Sequence, residues 1–368
     1  MYTTRSVVSV IVALVSISAL CHGQEHAFCN TTNGTPGRCV PVRKCAYVLD
    51  FLRRDSLLYN DTAYLESLLC ESQTDGPTLV CCPRLKNDPK CGPSKNVNRI
   101  IGGNDTEIGE FPWLALLRFQ ARNNRIYANC AGSLISTRYV VTAAHCFPAA
   151  QKKGWSVHSV RVAEWNFMNH RGSKDCKQLP DYTEPVCRKD YDVARIALHP
   201  DYRVNYAVHM HDIALIELAT DVELNQFVAP ICLPLDDGVL EPHGDGDYRD
   251  YTAAGWGSTD PDSGMSDLLK QIDLREFDKE RCRKLFQVPS NVGIGDAHIC
   301  AGGVRNEDTC HGDSGGPLME LAAGAWYLTG ITSFGWPKCG REGVPGVYTN
   351  VTHYIGWIEH ELFRGILA

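Results

Sequence analysis

The cysteines constrain this chain more than any other residue type. There are seventeen, and Cys21 closely follows a 14-residue apolar run from Val7 to Leu20. Arg5 ahead of that run, and the small residues Cys21 and Gly23 behind it, read as a secretory signal cleaved after Gly23. The run falls short of the ~20 residues that span a bilayer, so no membrane anchor is expected. Residues 1–23 are therefore assigned to a signal peptide and the protein to the extracellular space. The sixteen remaining cysteines are an even set, suited to as many as eight bridges in an oxidising compartment. Seven lie between Cys29 and Cys91 and nine from Cys130 onward, so the framework divides the chain in two.

The first part, residues 24–82, is too short to bury much core, and its six cysteines must carry its stability. Between Cys45 and Cys70 the pairs Phe51-Leu52, Leu57-Leu58, Tyr64-Leu65 and Leu68-Leu69 recur at helical spacing, with an interruption expected near Asn60-Asp61. Six cysteines allow fifteen connectivities, and spacing alone does not choose among them. Residues 83–99, with Pro83, Pro89, Gly92 and Pro93, read as a linker that ends in Arg99-Ile100-Ile101-Gly102-Gly103. From Gly109 onward short β-rich runs alternate with turn signals, as at Trp113–Phe119, Gly132–Ile135, Tyr139–Ala143 and Ile213–Leu218. Ile355, Ile358, Leu362 and Ile366 then mark a terminal amphipathic helix over Tyr354–Leu367. A net charge of −7 argues against a nucleic-acid partner.

The chemistry concentrates in Glu307-Asp-Thr-Cys-His-Gly-Asp-Ser-Gly-Gly-Pro-Leu318. Gly312 and Gly315 permit a tight turn that exposes Ser314 Oγ and gathers backbone N–H groups at one point, as acyl transfer requires. A serine hydroxyl needs a base, and the base needs orienting. His145, in Thr-Ala-Ala-His-Cys after an apolar strand, is the candidate base. Asp212, in His-Asp-Ile-Ala-Leu before a buried strand, is the candidate orienter. His209 and His211 flank Asp212 and are read as structural.

Gly-Asp-Ser-Gly-Gly-Pro resembles the signature of trypsin-like serine proteases, and the chain order His145, Asp212, Ser314 matches that family. The six-cysteine module ending in Cys81-Cys82 resembles the clip domain found ahead of arthropod serine proteases. The resemblance implies an all-β fold of two six-stranded barrels with a C-terminal helix over residues 100–368, preceded by the clip module. It implies clip bridges Cys29–Cys81, Cys39–Cys70 and Cys45–Cys82. It also implies a tether Cys91–Cys232, and Cys130–Cys146, Cys176–Cys187, Cys282–Cys300 and Cys310–Cys339 in the larger part. The triad roles, an oxyanion hole from the N–H groups of Gly312 and Ser314, and activation by a cut between Arg99 and Ile100 come with it. The freed Ile100 amine then pairs with Asp313. Asp308, with Gly335 and Gly346 keeping the pocket open, implies cleavage after Arg or Lys. Phe334 stands where tryptophan is usual, and His311 where glutamine is usual.

Relatives use a loop after Glu164-Trp165-Asn166 to bind calcium, so Glu164, the Asn166 carbonyl and Asp175 are candidate ligands, although the chemistry itself requires no cofactor. Asn30, Asn33, Asn60, Asn104 and Asn350 each begin a glycosylation sequon. The resemblance implies a haemolymph zymogen in a proteolytic cascade of the kind that activates prophenoloxidase or the Toll ligand, or in development. Its implied partners are an upstream trypsin-like activator, a downstream zymogen or pro-ligand, and a serpin. The alternatives are a non-catalytic homologue acting as a cofactor, and a digestive enzyme.

Overall fold

The structure, a computed structural model, describes residues 27–31, 36–45, 48, 59–70, 77–94, 104–166, 176–178, 180, 185–205, 208–235, 239–240, 248–258, 265–286, 293–305, 308–310, 312–336 and 339–366. The signal segment, Arg99, Ile100, Asp175, His311 and Asn33 lie outside the described residues. Two units emerge by packing, residues 1–86 with 356–368, and residues 87–355.

In the first unit three antiparallel strands, β1 (Phe28–Asn30), β2 (Pro36–Pro41) and β3 (Leu79–Pro83), form a small sheet in that order. Helix α1 (Tyr59–Ser67) lies between β2 and β3 in sequence. It runs through Asn60 and Asp61, where the sequence pattern calls for an interruption. Both residues fall in its first turn. Bridges Cys29–Cys81, Cys39–Cys70 and Cys45–Cys82 cross a core of Val48, Leu68, Leu79 and Val80. The last turns of the chain complete this core. Phe363 packs on the cluster of Cys45, Val48, Leu68 and Val80, and Glu359 accepts a hydrogen bond from the Leu85 N–H at 2.8 Å. Cysteine spacing holds no hint that the C-terminus serves the N-terminal module.

The second unit begins with the linker. Asn87 brackets Leu233, donating from Nδ2 to its carbonyl at 2.8 Å and accepting its N–H at 2.7 Å. Gly92 donates its N–H to the Pro230 carbonyl at 2.8 Å and accepts the Trp326 N–H at 2.9 Å, and Cys91 is bridged to Cys232. At Gly92, φ is +56° and a Cβ would stand 2.2 Å from the Trp326 carbonyl oxygen, so glycine is required there.

The strands that follow are β4 (Asn104–Asp105), β5 (Leu114–Gln120), β6 (Ile126–Leu134), β7 (Tyr139–Thr142) and, after helix α2 (Cys146–Lys152), β8 (Ser156–Val162). Short pairs follow as β9 (Cys176–Lys177) with β10 (Val186–Cys187), then β11 (Lys189–Tyr191), β12 (Val193–Leu198), β13 (Arg203–Asn205), β14 (Val208–Met210) and β15 (Ala214–Leu218). The C-terminal half adds β16 (Asp250–Gly255), β17 (Lys270–Arg275), helix α3 (Lys279–Leu285), β18 (His298–Gly302), β19 (Pro317–Ala322), β20 (Ala325–Phe334), β21 (Pro345–Asn350) and helix α4 (Ile355–Ile366).

They make two seven-stranded antiparallel sheets, ordered β11-β8-β5-β6-β7-β15-β12 and β18-β21-β20-β19-β16-β17-β4. Each curls until a late strand approaches an early one, β12 beside β8 and β17 beside β18. The very short edge strands β11 and β4 bring each barrel-like sheet from six strands to seven. Between the sheets, Trp113 is fully buried and donates its indole N–H to Met319 Sδ at 3.1 Å. Phe111 packs edge-on against both Trp113 and Trp326, and such ring pairs add about 0.5–1.5 kcal/mol beyond the area they bury.

Candidate active site

Strand register assembles the site. Ala214 of β15 pairs with Thr142 of β7 in antiparallel register, so the segment before β15 and the segment after β7 meet at one end of the first sheet. Those segments carry Asp212 and His145. The Asp212 carboxylate is fully buried. Its Oδ1 accepts the His145 backbone N–H at 2.8 Å, and its Oδ2 lies 2.7 Å from His145 Nδ1. The imidazole edge remains 14% exposed, so the ring is held from behind and open in front.

The second sheet delivers the serine to the same place. Ala131 N–H donates to the Ser314 carbonyl at 2.9 Å, and Gly315 N–H donates to the Thr332 carbonyl at 2.8 Å. Gly312 has φ +108° and Gly315 has φ +78°. A Cβ on Gly315 would stand 2.2 Å from Thr142 Oγ1 and 2.5 Å from the Ala131 carbonyl oxygen, so only glycine lets the serine turn seat against the strand that leads to His145. Among the described residues, the Gly312 and Ser314 amides have no hydrogen-bond acceptor, leaving two donors beside the hydroxyl.

Three contributors escape a reading of the sequence. Ser333 Oγ donates to Asp212 Oδ2 at 2.5 Å, and Thr349 Oγ1 donates to the Asp212 carbonyl at 2.8 Å. Both come from the second sheet and fix the aspartate across the cleft. His209 also stands close, with Nδ1 3.6 Å from Asp212 Oδ2. Of the three, Ser333 carries a signal, because it directly precedes the Phe334-Gly335 pair.

Electrostatics follow from this burial. Desolvation alone would raise the Asp212 carboxyl, but His145 and then His209 beside it hold it well below the usual carboxylate range. Burial disfavours the charged His145 ring, yet the charge and hydrogen bond of Asp212 prevail and raise its pKa above 6.5.

Asp308 lies on the loop six residues before Ser314. Its Oδ2 accepts the Gly340 N–H at 3.1 Å, and its Oδ1 is buried with no hydrogen-bond partner among the described residues. Gly346 lies directly above, where a Cβ would be 3.1 Å from Asp308 Oδ1, and a Cβ on Gly335 would be 4.0 Å from Gly346 Cα. The Cys310–Cys339 bridge spans the same loops. Burial pushes the Asp308 carboxyl up to about 6, against the Gly340 and Thr309 N–H groups that stabilise its charge. A buried carboxylate oxygen left unpaired is costly and calls for a cationic partner.

Asp313 is held by backbone amides. Its Oδ1 accepts the Gly257 N–H at 2.7 Å and its Oδ2 the Cys310 N–H at 3.0 Å. Gly255 and Gly257 make room for it, since a Cβ on either would approach a carboxylate oxygen to 2.1 Å. Burial raises this carboxyl too, and those two N–H groups only partly offset it.

Of the expected calcium ligands, Glu164 already has cationic partners. Glu164 is buried and its Oε2 already receives Arg161 at 3.2 Å and Arg188 at 3.4 Å, while Arg161 also grips Asp190 at 2.6 Å. Two guanidiniums supply the positive charge a metal would bring, and calcium needs free oxygen donors. The backbone of Asn166 is bridged to Leu268. Bridges Cys130–Cys146, Cys176–Cys187 and Cys282–Cys300 are also formed. Of the sequons, Asn30 is exposed in β1, whereas Asn350 donates its side-chain amide to the Asp296 carbonyl at 2.9 Å. A glycan on Asn350 would break that bond; the side chains of Asn60 and Asn104 lie outside the described residues.

Comparison with known proteins agrees with this geometry. The trypsin family profile matches residues 100–358, and the profile of the regulatory CLIP domain of proteinases matches residues 29–82. The chain is 64% identical to CLIP domain-containing serine protease B14 of Anopheles gambiae, over the whole of both chains. It is 34% identical to phenoloxidase-activating factor 3 of Holotrichia diomphalia, across 96% of this chain and 98% of that one. The crystal structure of Grass, a Drosophila clip serine protease of the Toll pathway, superposes with a TM-score of 0.60 at 28% identity, covering 92% of this chain and 98% of Grass. The chain belongs to the clip-domain serine proteases and is a trypsin-like serine endopeptidase.

Proposed function

We propose that the chain is a secreted zymogen that, once cut between Arg99 and Ile100, cleaves protein substrates after arginine or lysine within an extracellular proteolytic cascade. The observation that carries the specificity is the buried, unpartnered Asp308 Oδ1 beneath Gly335 and Gly346. A guanidinium or ammonium group is the chemistry that satisfies it.

His145 takes the Ser314 proton as the hydroxyl attacks the scissile carbonyl, and later gives it to the leaving amine. Asp212 keeps the ring in the tautomer with Nδ1–H directed at Oδ2 and stabilises the imidazolium. The Gly312 and Ser314 amides receive the oxyanion. These roles are the ones such residues play in trypsin-like enzymes in general, carried onto the matching positions of this chain. Asp313 is the reason for a precursor. Among the described residues this buried carboxylate has two N–H donors and no countercharge, and a new Ile100 amine would supply one. Leaving one member of such a pair unmatched costs about 3–5 kcal/mol, enough to separate an ordered oxyanion loop from a disordered one. Arg99→Gln is expected to leave the chain intact and inert toward its activator, with activity restored by a compensating cleavage site; normal activation of Arg99→Gln would refute the junction.

The cascade role draws on relatives whose names place them in phenoloxidase activation and the Toll pathway. An upstream trypsin-like activator follows from Arg99, and a downstream zymogen or pro-ligand and a serpin follow from the family. His145, Asp212 and Ser314 all stand, against a non-catalytic homologue, and the clip module and its Cys91–Cys232 tether serve no digestive purpose.

The pH profile separates two groups. His145 must be neutral to accept a proton, so kcat falls as pH drops through its raised pKa. Asp308 must be charged to hold arginine, so KM for arginine substrates rises as pH drops through about 6. A substrate with a neutral side chain in the pocket is expected to lose only the His145 limb. Steady-state kinetics on both substrates between about pH 5 and pH 8 check this.

A further inference from the structure

The cations on and around the first sheet fall into two sets. Arg118, Arg138, Arg161, Lys189 and Arg195 each face a carboxylate. Arg122, Arg125, Lys152 and Lys153 are all exposed and, among the described residues, face none. The sequence explains the contrast. From Phe119 to Ala163 the chain carries six Arg and Lys and not one Asp or Glu, although its net charge is −7. The fold then gathers the four. Arg122 and Arg125 lie in the turn between β5 and β6, where the Ala121 N–H donates to the Arg125 carbonyl at 2.8 Å. Lys152 and Lys153 close α2. The two segments touch, since a Cβ on Gly154 would stand 3.2 Å from Arg122 Nε, and Lys153 Nζ donates to Asn129 Oδ1 of β6 at 3.3 Å. Tyr127 of β6 and Trp155 stack at 4.8 Å, and Lys153 Nζ stands 4.6 Å from the Trp155 ring centre. Ile126, which follows Arg125, is 40% exposed.

We propose that this surface is an exosite for an acidic segment of the protein substrate, on the C-terminal side of the bond to be cut. Four cations without countercharges create a local positive potential that attracts carboxylates and steers their approach. The surface is within reach of the chemistry. Along α2 the lysines lie about 10 Å from Cys146, the residue after His145, and along β6 Ile126 lies about 17 Å from Ala131, which holds the Ser314 carbonyl. About three to five residues of extended chain cover that span. The direction rests on the proposed reaction. Asp308, which would take the basic side chain, belongs to the second sheet's loops, whereas His145, which protonates the leaving amine, stands on the first sheet's side. The chain that departs with that amine therefore crosses the side where the cations lie. A peptide suits the surface better than a sulfated sugar. Ile126 offers an apolar contact, and Trp155, the ring on which a sugar would stack, is already engaged by Tyr127 and Lys153.

The test gives the activated full-length chain two peptides that share one arginine site. They differ only at about the third to sixth positions after the cut, which are Asp and Glu in one and Asn and Gln in the other. Single exposed ion pairs are weak, so several must act together; kcat/KM is expected to be about five- to tenfold higher for the acidic peptide. That advantage is expected to shrink about threefold or more in Arg122→Gln/Arg125→Gln, in Lys152→Gln/Lys153→Gln, and on raising salt from about 0.05 M to about 0.5 M. Each variant is scored against its own rate on a small arginine amide, which has no such segment. Equal rates on the two peptides, an advantage that both double variants keep, or an equal advantage from acids placed before the cut overturns the proposal. Binding is measured apart from activity, by fluorescence anisotropy of the labelled acidic segment on the full-length chain carrying Ser314→Ala. Both double variants are expected to weaken it about threefold or more. Heparin held by these residues while the acidic segment is not held also overturns the proposal. An activated chain that cuts no arginine peptide contradicts the proposed activity instead, and the anisotropy then decides the surface.

Discussion

Asp212→Asn is expected to lower kcat by about 10⁴-fold while KM and the thermal midpoint change little; the magnitude is that of the same change in the family's best-studied members. The structure gives the reason. Asp212 Oδ2 receives both His145 Nδ1 and Ser333 Oγ, and Oδ1 receives the His145 N–H. An asparagine oxygen can serve only one side. If it keeps the backbone bond, its NH₂ faces His145 Nδ1 and forces the ring proton to the nitrogen that must be free to accept from Ser314. The fold should tolerate this, because Thr349 holds the Asp212 carbonyl, which the substitution leaves alone. Ser333→Ala removes one hydrogen bond to a charged group, worth about 1.5–3 kcal/mol, and is expected to cost about 10- to 100-fold. Equal losses from the two variants, in stopped assays with matched folding controls, would mean that orientation and not tautomer is what Asp212 supplies.

Asp308→Ser carries the second large effect. A substrate arginine in the pocket would lose its countercharge while remaining buried, at about 3–5 kcal/mol. At about 1.36 kcal/mol per tenfold, kcat/KM for arginine amides should fall between about a hundredfold and a few thousandfold. Neutral side chains should be cut as well as before or better, since the unpaired Oδ1 and its desolvation cost are gone. Parallel kinetics on arginine and leucine amides measure the switch. An unchanged arginine preference would place the specificity elsewhere.

Much of this site is legible in the sequence because each motif borders a strand. His145 follows β7 through Ala143-Ala144, Asp212 precedes β15 through Ile213, and antiparallel register then joins the two ends. Glycines 312 and 315 signal the serine turn, and positive φ is what they supply. The contacts of Ser333, Thr349 and His209 are not legible, because these residues reach Asp212 in ways that no local pattern records. The partners of Glu164 are hidden from the sequence for a similar reason. Glu164 reads as a free acid in sequence, but Arg161 is three residues earlier in β8 and Arg188 arrives from a distant segment. The packing of Phe363 on the clip core is the most remote case, since it joins opposite ends of the chain.

The most direct test of the account is hydrolysis of a small arginine amide by the chain cut at Arg99, beside Ser314→Ala cut in the same way. Activity that appears with the cut and falls about a million-fold in Ser314→Ala is the predicted result. No activity after a verified cut, or activity that survives Ser314→Ala, would contradict the assignment of Ser314 as nucleophile and of the cut as its switch.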